Sequence, residues 1–468
     1  MAGVGFVLRK LVRADGITSN LSGLAHATLA SSGPWLFACL VLVGIAFMGH
    51  GIVEPLVLRQ FSVLVMYNFS FSLVGTGVIV LIVTRCLADS IFARDISQVP
   101  DLLTGSLTLV FIVMAVIGLA LYGYALDLAP AVRAFGFLGL MLTGGVWLVA
   151  VFMSALKNYS SITASFVFGM SVAFLASLLL ARSFGLAGLL AGFSLGLAVV
   201  FFSLLGRVLI EYPGEITQPF RFMLKARDLW QLGLVGLTVN SAIWVDKWIM
   251  WFAPGANSLG TALRAHESYE AAMFLAYLSI VPSLALLLVD IETSFFEKYW
   301  KFYRQIGKHA TLSEIRSQHA TVTRTLSRGL KRIALLQIVI CLIGLLIAPA
   351  VVTAVKGGIE MVPVLRYGLV GALFHMLLIA AMTVLAYFDF RRELLSVALT
   401  FFILNGSLTA TAAMLGGEFH GYGYCLATLT SFGLAYYLAH SRVNRLIYET
   451  FVANNPALHT QKPRLERF

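Results

Sequence analysis

About a dozen apolar stretches, each some twenty residues long, occupy this chain from Leu21 to His440. Hydrocarbon offers the backbone no hydrogen-bond partners, so each stretch must satisfy itself as a helix. A dozen in series make an all-α polytopic membrane protein. The expected spans are 21–49, 61–84, 102–126, 134–156, 161–180, 186–210, 229–253, 269–290, 332–355, 364–388, 394–415 and 421–440. Little else fits. Charged residues are only 12% of the chain, and the longest polar interval runs from Asp290 to Arg332. A soluble catalytic domain of ~100–200 residues has no room between the spans. The first run is longer than a signal-peptide core and reads as a retained helix.

The loops give the spans a direction. Lys and Arg number 33, and 26 of them fall on the side that holds both termini. The densest set runs from Lys298 to Arg332 in the eighth loop. The opposite side has Arg59, Arg133, Arg182, Arg264, Lys356 and Arg366, and Lys247 lies inside a span. By the positive-inside rule both termini face the cytoplasm. The same bias explains the net charge of +11, so no nucleic-acid partner is implied. The basic sixth loop, with Tyr212-Pro213-Gly214, divides six spans from six. The expected organisation is a cytoplasmic N-terminus (1–20), a six-helix lobe (21–210), a linker (211–228), a second six-helix lobe (229–440) with an amphipathic loop (290–332), and a cytoplasmic tail (441–468).

No catalytic pattern is present. The sequence holds no GxxxxGK[ST] phosphate loop, no HExxH, no paired CxxC and no DxD-like acidic pair. Cys39, Cys86, Cys341 and Cys425 have no metal-site or disulfide spacing. Neither an enzyme nor a cofactor nor a metal centre is expected.

The seventh span carries the densest polar chemistry. At ~100° per residue Asn240, Trp244, Lys247, Trp248 and Trp251 share one arc, while Asp246 points about 100° from Lys247. That offset makes Asp246 and Lys247 poor partners for each other. An amide, an ammonium and indoles on one face suit a sugar chain, whose hydroxyls take hydrogen bonds while its C–H faces pack on aromatic rings. The alternative is an interfacial aromatic belt with Lys247 snorkelling to headgroups. Asn68 in span two and Asn405 in span eleven either line the same polar route or tie helices together. Gly33, Pro34 and Trp35 predict a kink in the first helix, suited to a gate. The Asp290–Tyr303 run alternates aromatic and charged residues, which predicts an interfacial helix followed by a polar connector. Lys298, Trp300, Lys301 and Arg304 on it are candidates for docking a cytoplasmic partner.

Several stretches, in order along the chain, resemble the PelG family. They are Met1–Phe6 with Leu8-Arg9-Lys10-Leu11, Ser31–Trp35, Tyr212-Pro213-Gly214, Asp246-Lys247-Trp248, Glu292–Tyr303 and Tyr387–Arg392. That family is similar to the MOP flippases, with two six-helix lobes around a central cavity lined largely by helices one and seven. The resemblance implies export of a nascent N-acetylgalactosamine-rich polysaccharide across the bacterial inner membrane. It also implies a cytoplasmic glycosyltransferase and membrane partners, one of them sensing cyclic di-GMP. It supplies no binding residues. Three other functions fit the residues: a flippase for lipid-linked oligosaccharides, a cation-coupled exporter, and a membrane scaffold that recruits a synthase without transporting anything.

Overall fold

The computed structural model describes residues 36–156, 159–260, 262–308 and 310–453. The kink candidates Gly33, Pro34 and Trp35 lie outside these residues.

Every expected span is helical where described. The first lobe contains α1 (Leu36–Gly49), α2 (Pro55–Phe92), α3 (Val99–Gly118, with a π-helical extension Leu119–Ala125), α4 (Pro130–Leu156) and α5 (Tyr159–Glu211). A short α6 (Phe222–Ala226) lies in the linker, and α7 (Trp230–Met250) opens the second lobe. Next come a two-stranded hairpin (β1, Asn257–Ser258; β2, Arg264–Ala265), α8 (Glu267–Leu278) and α9 (Val281–Asp290). A π-helical turn (Ile291–Phe295) leads into α10 (Phe296–Gly307). Then follow α11 (Leu312–Ala354), α12 (Met361–Tyr387), α13 (Arg391–Leu415), α14 (Tyr422–Asn444) and α15 (Leu446–Tyr448), and a π-helical turn (Glu449–Ala453) closes the described residues. Eight of these helical segments are long and apolar enough to cross a membrane by length and composition. Proline stands first in α2 and α4, where its missing N–H is no loss.

α5 is two spans. Gly185 adopts φ 54°, a left-handed conformation that favours glycine, and the chain reverses there. The halves then press together without side chains between them. A Cβ on Gly188 would sit 2.2 Å from the Leu180 carbonyl oxygen, and one on Gly192 would sit 2.2 Å from the Ser177 nitrogen. Gly196 meets Gly169 and Ala173 in the same way. Glycines four apart on one stripe are the membrane's means of bringing two helix backbones into contact.

The linker is tied to the first lobe. Asp101, in the first turn of α3, accepts the backbone N–H groups of Thr217 (2.7 Å) and Gln218 (3.0 Å). Gly105 leaves room for the Pro219 carbonyl, which would lie 1.7 Å from any Cβ there.

The expected polar connector after α10 is instead the start of α11, one helix of 43 residues. Its first turn carries a capping box, with Thr311 and Glu314 exchanging side-chain and backbone hydrogen bonds. α10 packs on this projecting part. Phe302 is fully buried and clusters with Phe295, Ile315, Val322 and Phe388. Trp300 stays half exposed, with the Arg304 guanidinium 4.8 Å over its ring.

The α5 hairpin makes a direct prediction. Gly192→Val forces a methyl-bearing carbon into the opposing backbone and should cost about 1–3 kcal/mol or more. Gly433→Ala on α14, where a Cβ meets open space, should leave stability unchanged or slightly raised. Thermal unfolding in detergent compares the two.

Candidate functional site

Helix α7 is gripped on two sides. One side closes against α2, and that contact joins the lobes along a seam as long as a bilayer is thick. Between Arg59 and Arg85, α2 rises roughly 39 Å at 1.5 Å per residue. Near one end Arg59 pairs with Glu267 at 3.5 Å, and the Gln60 amide donates to the Leu259 carbonyl at 2.8 Å. The Tyr67 hydroxyl donates to the Arg264 carbonyl at 2.7 Å, and its ring stacks on Trp251 at 4.2 Å. Further along, the Trp248 indole donates to Ser70 Oγ at 2.9 Å and stacks on Phe71 at 5.7 Å. The Asn240 amide donates to the Leu73 carbonyl at 2.8 Å. At the middle the backbones meet: a Cβ on Gly236 would lie 2.1 Å from the Gly77 carbonyl oxygen. At the other end Arg85 reaches Asp389 at 3.6 Å.

The other side of α7 faces the interior of the second lobe, and there one expectation is corrected. Asp246 and Lys247 are partners: Lys247 Nζ lies 3.1 and 3.0 Å from the two carboxylate oxygens. The 100° offset between the two positions is overcome by the four-carbon stem of lysine, which folds back along its own helix and also donates to the Ile243 carbonyl at 3.0 Å. Both side chains are buried, Lys247 9% and Asp246 0% exposed, and removing either would leave an uncompensated buried charge. The Tyr269 hydroxyl donates to Asp246 Oδ2 at 2.8 Å, and the ammonium lies 4.8 Å over the Tyr277 ring. Lys247 therefore does not snorkel to headgroups.

The other candidates are held by specific bonds. Asn405 on α13 is fully buried and donates to the Ala242 carbonyl at 2.8 Å. Asn68 sits inside the first lobe, donating to the Gly136 carbonyl at 3.0 Å and accepting from Tyr122 at 2.6 Å. Trp244 is half-buried, with Lys247 Nζ 5.9 Å from its ring centroid. The predicted arc of α7 is thus divided. Asn240, Trp248 and Trp251 grip α2, Lys247 turns inward, and Trp244 stands between them.

Sequence reasoning missed the partners. Tyr269, Glu270 and Tyr277 lie on the helix after the hairpin, and Glu270 accepts the Trp251 indole at 2.6 Å. An acid one position inside span 269–290 is the signal that could have flagged Glu270. At the hairpin end His266 and His420 meet, ring centroids 5.2 Å apart, each with a buried Nε2 that has no partner among the described residues. Burial pushes both imidazoles below their ordinary pKa.

Comparison with known proteins agrees with this architecture. A family model described as "PelG: Putative exopolysaccharide Exporter (EPS-E)" matches residues 1–451. No curated protein sequence matches. Among solved structures, the outward-facing form of a multidrug resistance MATE transporter of the MOP superfamily is 15% identical, with TM-score 0.60, covering 96% of this chain and 99% of its own. A MATE point mutant gives TM-score 0.62 at 13% identity, covering 91% and 96%. A MOP superfamily transporter from Pyrococcus furiosus, described as having a binding pocket of reversed polarity, gives 0.60 at 13%, also covering 91% and 96%. These likenesses establish the fold.

Two predictions follow from the geometry. Lys247→Met strands a buried carboxylate and should cost about 3–5 kcal/mol, whereas Asp246→Asn combined with Lys247→Met should recover most of it. Thermal unfolding of the single and double variants measures the coupling. The unfolded chain binds the His266 and His420 protons more tightly than the folded one. Stability is therefore intact above about pH 6.5 and declines as pH falls below it. Thermal midpoints at pH 7.5 and 5.5 should differ, and His420→Gln should narrow the gap.

Proposed function

The chain belongs to the PelG family, and on that premise we propose that it exports a nascent exopolysaccharide across the bacterial inner membrane. It is a multi-pass membrane protein with the fold of MATE and MOP transporters. The cargo in this reading is the Pel-type polymer rich in N-acetylgalactosamine, made by a cytoplasmic glycosyltransferase. The chain is the transport subunit of a complex that includes a cyclic-di-GMP-sensing membrane protein. Both termini face the cytoplasm. The observation that carries the reading is the family match over nearly the whole length, 1–451.

The charge arrangement favours a neutral cargo. A flippase for a pyrophosphate-linked lipid needs cations free to meet the phosphates, and the intramembrane ammonium of Lys247 is already spent on Asp246. A cation-coupled exporter needs an acid able to take up an ion; Asp246 already has Lys247, and Glu270 is engaged by the Trp251 indole and the His266 backbone N–H. In our reading the polymer passes along the part of α7 that carries Trp244, with Asn240 and Trp248 holding the edge of the path through their bonds to α2. The half-exposed Trp300 with Lys301 and Arg304 on α10, and Lys298 beside them, form the face that receives the synthase.

Deleting the gene should leave glycosyltransferase activity intact and abolish secreted polymer; normal secretion would sink the proposal. A photoreactive residue at position 244 should crosslink to nascent polymer in producing cells. Its failure to do so, with secretion intact, would move the path away from α7.

A further inference from the structure

In the second lobe four helices reach one edge of the apolar belt together and leave a gap. Asp290 ends α9, Tyr387 ends α12, Asn444 ends α14, and α11 turns apolar from Ile333 onward. Between them lies a cavity of about 120 Å³. Its inner wall is apolar, with Leu287, Leu330, Ile333, Ala380 and Val384. Exposed Arg332 and His440 stand at its outer part, and buried Asp290 lines it beside Arg332. Apolar inside and charged at the rim is the polarity of a bilayer surface itself.

Asp290 is the informative group. It is 8% exposed, and one carboxylate oxygen takes the Arg332 guanidinium. The other, Oδ2, is shielded from solvent and has no partner among the described residues. An unmet buried acceptor is costly, and more so when it is charged. Gly329 faces that oxygen across the cavity wall, and a Cβ placed on it would stand 3.4 Å away, in van der Waals contact. Arg332 is 57% exposed, so its guanidinium still faces outward. The helix changes to a π-helical turn at Ile291, directly after Asp290, and such turns often mark functional sites.

We propose that this cavity holds the headgroup of a zwitterionic phospholipid bearing a primary ammonium. The ammonium donates to Asp290 Oδ2 and the phosphate meets the outward face of Arg332. Charge selects this class. A hydrogen-bond donor is needed inside and an anion outside, and a zwitterion supplies both while keeping the site neutral. A quaternary ammonium has no N–H to give, and a purely anionic headgroup brings its charge toward the carboxylate. The acyl chains run along the exposed strip of α14 formed by Leu426, Leu429, Gly433 and Tyr436, which share one face leading to the rim.

The test uses the full chain in nanodiscs of equal parts phosphatidylethanolamine, phosphatidylcholine and phosphatidylglycerol, followed by gentle extraction and native mass spectrometry. Phosphatidylethanolamine should be retained at least about tenfold over the other two, since a single charge-assisted contact is worth about 1.4 kcal/mol or more. Asp290→Ala should abolish the preference. Gly329→Leu fills the cavity in a helix-favouring way and should remove the retained lipid without lowering the thermal midpoint. Equal retention of the three lipids, preference for another of them, or undiminished retention by Gly329→Leu would each overturn the proposal. None of these readouts involves cargo export.

Discussion

The contact of two backbones at Gly77 and Gly236 fixes how α7, and with it the second lobe, meets the first. Because no side chain separates them, α2 and α7 lie close enough for the short reach of Ser70, the Leu73 carbonyl and Phe71 to meet Asn240 and Trp248. In lipid there is little hydrophobic drive to press helices together, so close packing and interhelical hydrogen bonds must do it. The seam has both along its length. Its two ends are ionic, where the membrane gives way to water.

The buried polar groups around α7 and α8 are each met from within the fold. Asp246 has Lys247 and Tyr269; Glu270 has the Trp251 indole and the His266 backbone N–H. His375 lies 2.8 Å from the Tyr424 hydroxyl.

The spans were legible because a bilayer imposes a length that no accident of composition imitates. Even the break in α5 was visible, since Gly185 falls where two twenty-residue runs must separate. The seventh helix was legible as a polar helix but not as a gripped one. Periodicity says which residues share a face and nothing about what lies opposite. Asn240 and Trp248 therefore looked like groups awaiting a ligand, when Leu73 and Ser70 already held them. The Asp246–Lys247 pair was misread because a helical wheel gives the angle of a Cα and ignores the length of a lysine stem. The start of α11 was written plainly in Thr311 and Glu314, but the charges between Arg316 and Arg332 masked the helix as a connector.

Helix α11 has a mechanical side. It is continuous for 43 residues, roughly 65 Å at helical rise, and its internal proline, Pro349, lies near the far end. The first twenty or so residues stand clear of the apolar belt with α10 fastened along them. A rod of this kind has no joint where it leaves the membrane. A tilt of ~5° in its embedded half carries the tip, some 30 Å out, by two to three ångströms, and the aromatic face of α10 travels with it. Whatever rests on that face is geared to the posture of the bundle beneath.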